Sequence, residues 1–276
     1  MSFAIPSLEA IGPFNGPRVF LTAFALALAL QVSRCFAEQR TFFRHRAAHA
    51  PTGRLLGLVP IPRLRESHFL LAGNVLRISL LAAAAGVLPR LTLAIALVSY
   101  FLYFSQILPL AYVVRTTHIV PLILVILLAA PDLGASYAAP APWWPLLLIK
   151  LCIAAVYFSS ACTKLRHSGL RWISGENLQA NLLDHYLWGG RRAALWLAQK
   201  PALCTALGAA TLLLEVTFPI ILFLPALSLP YALAGLALHA GTRATMLIEY
   251  TRYFCLSYLV FVVDLMARPE LSRLTL

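Results

Sequence analysis

The chain has 276 residues, of which 61% are hydrophobic and only 12% charged, and its mean hydropathy is +0.81. A soluble domain is about a quarter charged, so there is too little polar surface here to cover a water-facing fold, and far too much apolar content for disorder. The composition implies an all-α, polytopic membrane helix bundle. The formal charge of +12 fits loops kept on the cytoplasmic side and touching anionic lipid, and no nucleic-acid partner is expected.

In chain order, the first apolar run extends from Arg18 to about Phe36. It is long enough for a retained span, and neither a basic leader region nor a small-residue cleavage site precedes it. A basic loop is expected over residues 37–67, where Arg40, Arg44, Arg46, Arg54, Arg63 and Arg65 face only Glu38 and Glu66. The second helix is expected from Phe69 to Leu88, stopped by Pro89-Arg90, and the third from Leu91 to near Tyr112. A fourth, short one begins near His118 and ends at Ala130-Pro131-Asp132. The fifth spans Pro145 to about Lys164, the sixth Leu203 to Leu224, the seventh Tyr231 to about Leu247 and the eighth Tyr253 to Met266. That makes seven or eight helical segments in a single membrane domain over 1–276. Transmembrane strands are not expected, because the runs are continuously apolar and do not alternate.

Two further linkers separate these runs. Residues 132–144 hold no Lys or Arg, whereas 165–202 interleave Arg166, Arg171, Arg191, Arg192 and Lys200 with Leu182, Leu183, Tyr186, Leu187, Trp188 and Trp196. The latter pattern suits interfacial amphipathic helices. The distribution of basic residues places 37–67 and 165–202 in the cytoplasm, and 132–144 and the N-terminus outside.

Ionisable groups at membrane depth are costly and therefore candidate site residues. Lys164 closes the fifth span, and Tyr157, Ser160 and Lys164 lie at i, i+3 and i+7 on one helix face. A lysine there serves either as a snorkelling anchor or as a base. The chain has only three lysines, Lys150, Lys164 and Lys200, against nineteen arginines. A desolvated amine can give up its proton and a guanidinium cannot, which favours the base. His239 and Arg243 lie one turn apart on the seventh span, followed by Glu249 and Arg252, a structural ion pair in the plainer reading. Glu215 sits mid-way along the sixth span and must be protonated or paired, with Arg243 or His239 as the expected partners. His118 opens the fourth span, and Asn74 and Arg77 share a face of the second and could join the same polar interior.

Other chemistry has little support. The cysteines, Cys35, Cys152, Cys162, Cys204 and Cys255, form no CxxC, so no disulfide framework and no metal site are expected. Gly189-Gly190-Arg191-Arg192 is a turn rather than a phosphate loop.

The order of polar elements resembles the transmembrane domain of vitamin K-dependent gamma-carboxylase and its bacterial relatives, the horizontally transferred transmembrane (HTTM) family. The carriers are Tyr157-Phe158, Lys164-Leu165, Trp172 and Gly175, then Glu215 and His239, with His118 upstream. The likeness covers about residues 15–268. It implies that Lys164 deprotonates a reduced quinone of the vitamin K hydroquinone type, with His118 and His239 also catalytic. Tyr157, Ser160, Trp172, Glu215 and Arg243 would contact the substrate. It further implies quinol oxidation or epoxidation coupled to carboxylation or another modification of a partner, with a protein or peptide as one form that partner could take. The chain departs from the carboxylase at Thr163, where a second lysine would stand, in the longer segment before Trp172, and in ending close to its last span, which argues against a captured peptide. The expected setting is the bacterial inner membrane, with membrane lipids and a lipophilic small molecule as partners. The alternative is a non-catalytic transporter or partner subunit for a small anionic solute or a quinone-linked system.

Overall fold

Apolar runs punctuated by proline and glycine set the helices of this protein, seen here in a computed structural model. The structure describes residues 11–49, 54–55, 59–60, 64–106, 118–246, 248 and 250–267. The fold is all-α. The described helices are α1 (Gly16–His49), α2 (Glu66–Ala85), α3 (Pro89–Phe104), α4 (Ile119–Ala129), α5 (Trp144–Ser168), α6 (Glu176–Gly189), α7 (Arg192–Ala198), α8 (Pro201–Thr217), α9 (Ser228–Met246) and α10 (Leu259–Ala267). Short 3-10 segments cover Gly169–Ser174, Phe218–Leu222, Pro225–Leu227, Tyr250–Arg252 and Phe254–Tyr258. Among the described residues, extended structure is confined to two-residue pairs: β1 (Ile11–Gly12) is antiparallel to β4 (Ala141–Pro142), and β2 (Arg54–Leu55) to β3 (Val59–Pro60).

Among the described residues, four helical stretches are long and apolar enough to cross a membrane: Gly16–Thr41, Glu66–Ala85, Trp144–Ser174 and Pro201–Leu222. Three shorter apolar helical stretches, Pro89–Phe104, Ile119–Ala129 and Phe254–Ala267, accompany them. Each apolar run expected from the sequence is a helix, with two shifts of note. α1 continues to His49, so the first part of the expected 37–67 loop is helical. At 34 residues and 1.5 Å per residue it is about 51 Å long, beyond the roughly 30 Å of a hydrocarbon core. Its polar extension is held by Arg40 and Arg44, which both donate to Glu66 Oε1, at 2.7 and 2.8 Å. α3 ends at Phe104, and the expected continuation to Tyr112 falls outside the described residues.

The helices cluster as two compact units, Leu8–Leu146 with Arg252–Ala267, and Leu147–Thr251. In the first, Phe20, Phe24, Leu28 and Val32 recur every fourth residue of α1 and are fully buried, as are Phe69, Leu76 and Leu80 of the neighbouring α2. That spacing keeps one stripe of α1 inward. Asn15 Oδ1 caps α1 by accepting the Arg18 amide at 3.0 Å. α2 stops at Gly86, whose φ of +83° continues the chain where other residues would be strained. The Arg18 guanidinium, itself buried, donates to the terminal carbonyls of Ala83 and Ala84 at 2.9 and 3.0 Å. A second buried polar chain runs from the Tyr103 hydroxyl to Gln39 Oε1 at 2.6 Å, and from Gln39 Nε2 to the Tyr253 hydroxyl at 2.7 Å.

The other unit holds α5 from Leu147, α6 to α9, and the 3-10 segments between them. The 165–202 stretch folds as expected into short helices. Leu182, Ala194, Ala198, Cys204 and Met246 form its small core. Gly175 joins the Gly169–Ser174 segment to α6 with φ +82°, and a Cβ there would lie 2.6 Å from the Thr205 backbone nitrogen. This close approach seats the start of α8 against the segment that carries Trp172.

Candidate functional site

On one face of α5, Tyr157, Ser160 and Lys164 recur at helical spacing. Across from this face stand Glu215 near the end of α8 and His239 in the second half of α9. The Lys164 ammonium donates to Glu215 Oε1 at 2.5 Å, and the Ser160 hydroxyl donates to the same oxygen at 3.1 Å. The side chains of Lys164 and Glu215 are 18% and 6% exposed. Glu215 Oε2 is buried and has no hydrogen-bond partner among the described residues. Lys164 Nζ also sits 5.0 Å from the centre of the Trp172 ring, close enough for a cation–π attraction.

Two turns before Lys164 on α5, the Tyr157 hydroxyl and His239 Nε2 are hydrogen-bonded at 2.8 Å, and both residues are buried. Phe218 stacks on the Tyr157 ring at 4.1 Å with the planes 6° apart. Tyr231 meets Phe218 edge-on at 5.7 Å and donates its hydroxyl to Thr217 at 2.9 Å. Phe218 and Glu215 are three residues apart, so α8 and its 3-10 extension present both to α5. Chemically, the arrangement is a partly buried acid–amine pair on the same helix face as a buried phenol–imidazole pair, with Phe218 stacked on the phenol. It can exchange protons with a bound group and give it a flat apolar surface.

Six of the eight residues expected from the sequence are brought together here: Lys164, Ser160, Tyr157, Glu215, His239 and Trp172. The expected partner of Glu215 is corrected: Lys164 and Ser160, not Arg243 or His239, bind its Oε1, because α8 faces the polar stripe of α5. Arg243 is exposed and donates to Thr251 Oγ1 at 3.4 Å. His118 belongs to the other unit, exposed at the start of α4. Arg77 is also in that unit, donating to Asn74 Oδ1 and lying 4.4 Å over the Phe36 ring. Arg252 donates to Glu38 Oε2 at 2.8 Å, and Glu249 lies outside the described residues. Phe218, Tyr231 and Thr217 are site neighbours that sequence reasoning missed. The signal for Phe218 was its i+3 spacing from Glu215.

No protein-family model, no curated protein and no solved structure matches the chain.

Proposed function

We propose that the chain is an integral membrane enzyme, similar to the transmembrane domain of vitamin K-dependent gamma-carboxylase and the HTTM family, in which Lys164 takes a proton from a reduced quinone or another lipophilic hydroxyl compound. The observation that carries this reading is the 2.5 Å hydrogen bond from Lys164 to Glu215 in a buried setting. At low dielectric, an ion pair and its proton-transferred neutral form approach each other in energy, because separated charge is poorly solvated. Movement of the shared proton onto Glu215 leaves an amine lone pair on Lys164. That amine then takes the substrate's hydroxyl proton: the substrate O–H bond breaks, an N–H bond forms, and the resulting anion faces an ammonium.

The quinolate next gives two electrons to molecular oxygen, the proposed oxidant; with its remaining hydroxyl proton and the proton held on Lys164 this yields quinone and hydrogen peroxide, and epoxidation or coupling to carboxylation or another modification of a partner belongs to the same proposal. Tyr157 and His239 polarise the substrate, Trp172 and Phe218 offer flat contact surfaces, and Glu215 Oε2 supplies a buried acceptor. His118 has no step in this scheme. The setting is a bacterial inner membrane, with 165–202 cytoplasmic and 132–144 outside.

Mass spectrometry of lipophilic molecules retained on the protein purified in mild detergent tests the substrate class. A quinone is expected at near-stoichiometric amount and is lost on Tyr157→Leu. A polar anion in its place contradicts the enzyme and favours solute transport.

A further inference from the structure

α6 and α7 connect two stretches long enough to cross a membrane, Trp144–Ser174 and Pro201–Leu222. Residues 175–200 therefore join the ends of two stretches that can each cross a bilayer. One face of this helix pair is already used: Leu182, Ala194 and Ala198 are buried in the core with Cys204 and Met246. The opposite face is exposed and mixed, with large apolar side chains set among Asn181, Asp184, Arg192 and Gln199. Leu187 is 76% and Trp188 92% exposed, and Leu183 and Trp196 are exposed as well. Exposed aromatics of this size beside cations belong at a membrane–water boundary rather than in bulk water.

The charge around this face has one sign in excess. Arg191 and Arg192 are exposed directly after the turn at Gly190, and Lys200 lies 4.8 Å over the Trp196 ring. Arg171 is exposed just before α6, against only Glu176 and Asp184. A cation held over an indole at the rim of an apolar patch can reach a phosphate while the ring enters the acyl boundary.

We propose that the outward face of α6 and α7 docks onto the anionic phospholipid headgroup layer of the leaflet. Leu187, Trp188 and Trp196 enter the interfacial zone, and Arg191, Arg192 and Lys200 contact the lipid phosphates. The occupant is a lipid surface rather than a protein because the segment is tethered at both ends to membrane-crossing stretches and its charge complements an anionic leaflet. The proposal is independent of the chemistry at Lys164.

The full chain in phosphatidylcholine nanodiscs provides the test. Brominated phosphatidylglycerol or brominated phosphatidylcholine is added as a fluorescence quencher, and the Trp188 contribution is isolated by difference against Trp188→Phe. Trp188 is expected to be quenched more strongly, at equal mole fraction, by the brominated anionic lipid. Arg191→Gln and Arg192→Gln should each reduce that preference about fivefold. Absence of quenching by either lipid, as for a face in water or beneath a protein partner, overturns the proposal. So does equal quenching by both lipids in the unaltered chain.

Discussion

A lysine and a glutamate held 2.5 Å apart with little water around them cannot be altered singly without consequence. Lys164→Met leaves the Glu215 carboxylate buried without its cation, at an expected cost of about 3–5 kcal/mol. The double variant Lys164→Met with Glu215→Leu removes both charges and should cost clearly less than the sum of the single changes. Unfolding titrations of the four proteins in detergent measure this coupling, and strict additivity would show that the pair is not formed. The face carrying Lys164 was legible because helical spacing alone puts Tyr157, Ser160 and Lys164 together. The partner of Glu215 was not. Three basic groups were available, and the choice depends on how α8 rotates against α5, which no local pattern encodes.

Helix ends and joints are where this chain places its left-handed residues. Gly175 and Gly190 both have positive φ, +82° and +65°, but only Gly175 has neighbours within reach of an added Cβ. Gly190→Ala is expected to cost about 1 kcal/mol, from backbone strain alone. Gly175→Ala adds a collision with the Thr205 backbone and should cost about 2–3 kcal/mol more. It should also loosen the Gly169–Ser174 segment that holds Trp172 over Lys164. Thermal unfolding of the two variants separates strain from collision, and equal losses would refute the close seating of α8. Existence and order of the helices were readable from apolar runs and proline stops. The extension of α1 was not, because 37–49 is polar enough to suggest a loop. There Arg40 and Arg44 meet Glu66 of α2, a contact set by tertiary structure.

At the scale of the whole molecule, the proposed chemistry and the proposed lipid docking fall on different parts of one unit. The buried pairs lie along α5, α8 and α9, and the exposed aromatic and basic residues lie on α6 and α7. The other unit carries its own polar devices, Arg18 at the end of α2 and the Tyr103–Gln39–Tyr253 chain, which satisfy buried groups inside that unit. Composition alone announced an apolar helical protein, because 12% charge cannot cover a soluble fold. It could not announce a two-unit clustering, which depends on long-range contacts. The central claim is that the amine of Lys164 must be able to lose its proton. Its most direct test is the rate of oxygen-dependent hydroquinone oxidation by the full chain in nanodiscs, compared with Lys164→Arg. The arginine keeps the charge opposite Glu215 and should preserve folding, yet lower the rate about 100- to 10,000-fold. An unchanged rate in that variant, with its unfolding transition intact, would contradict the account.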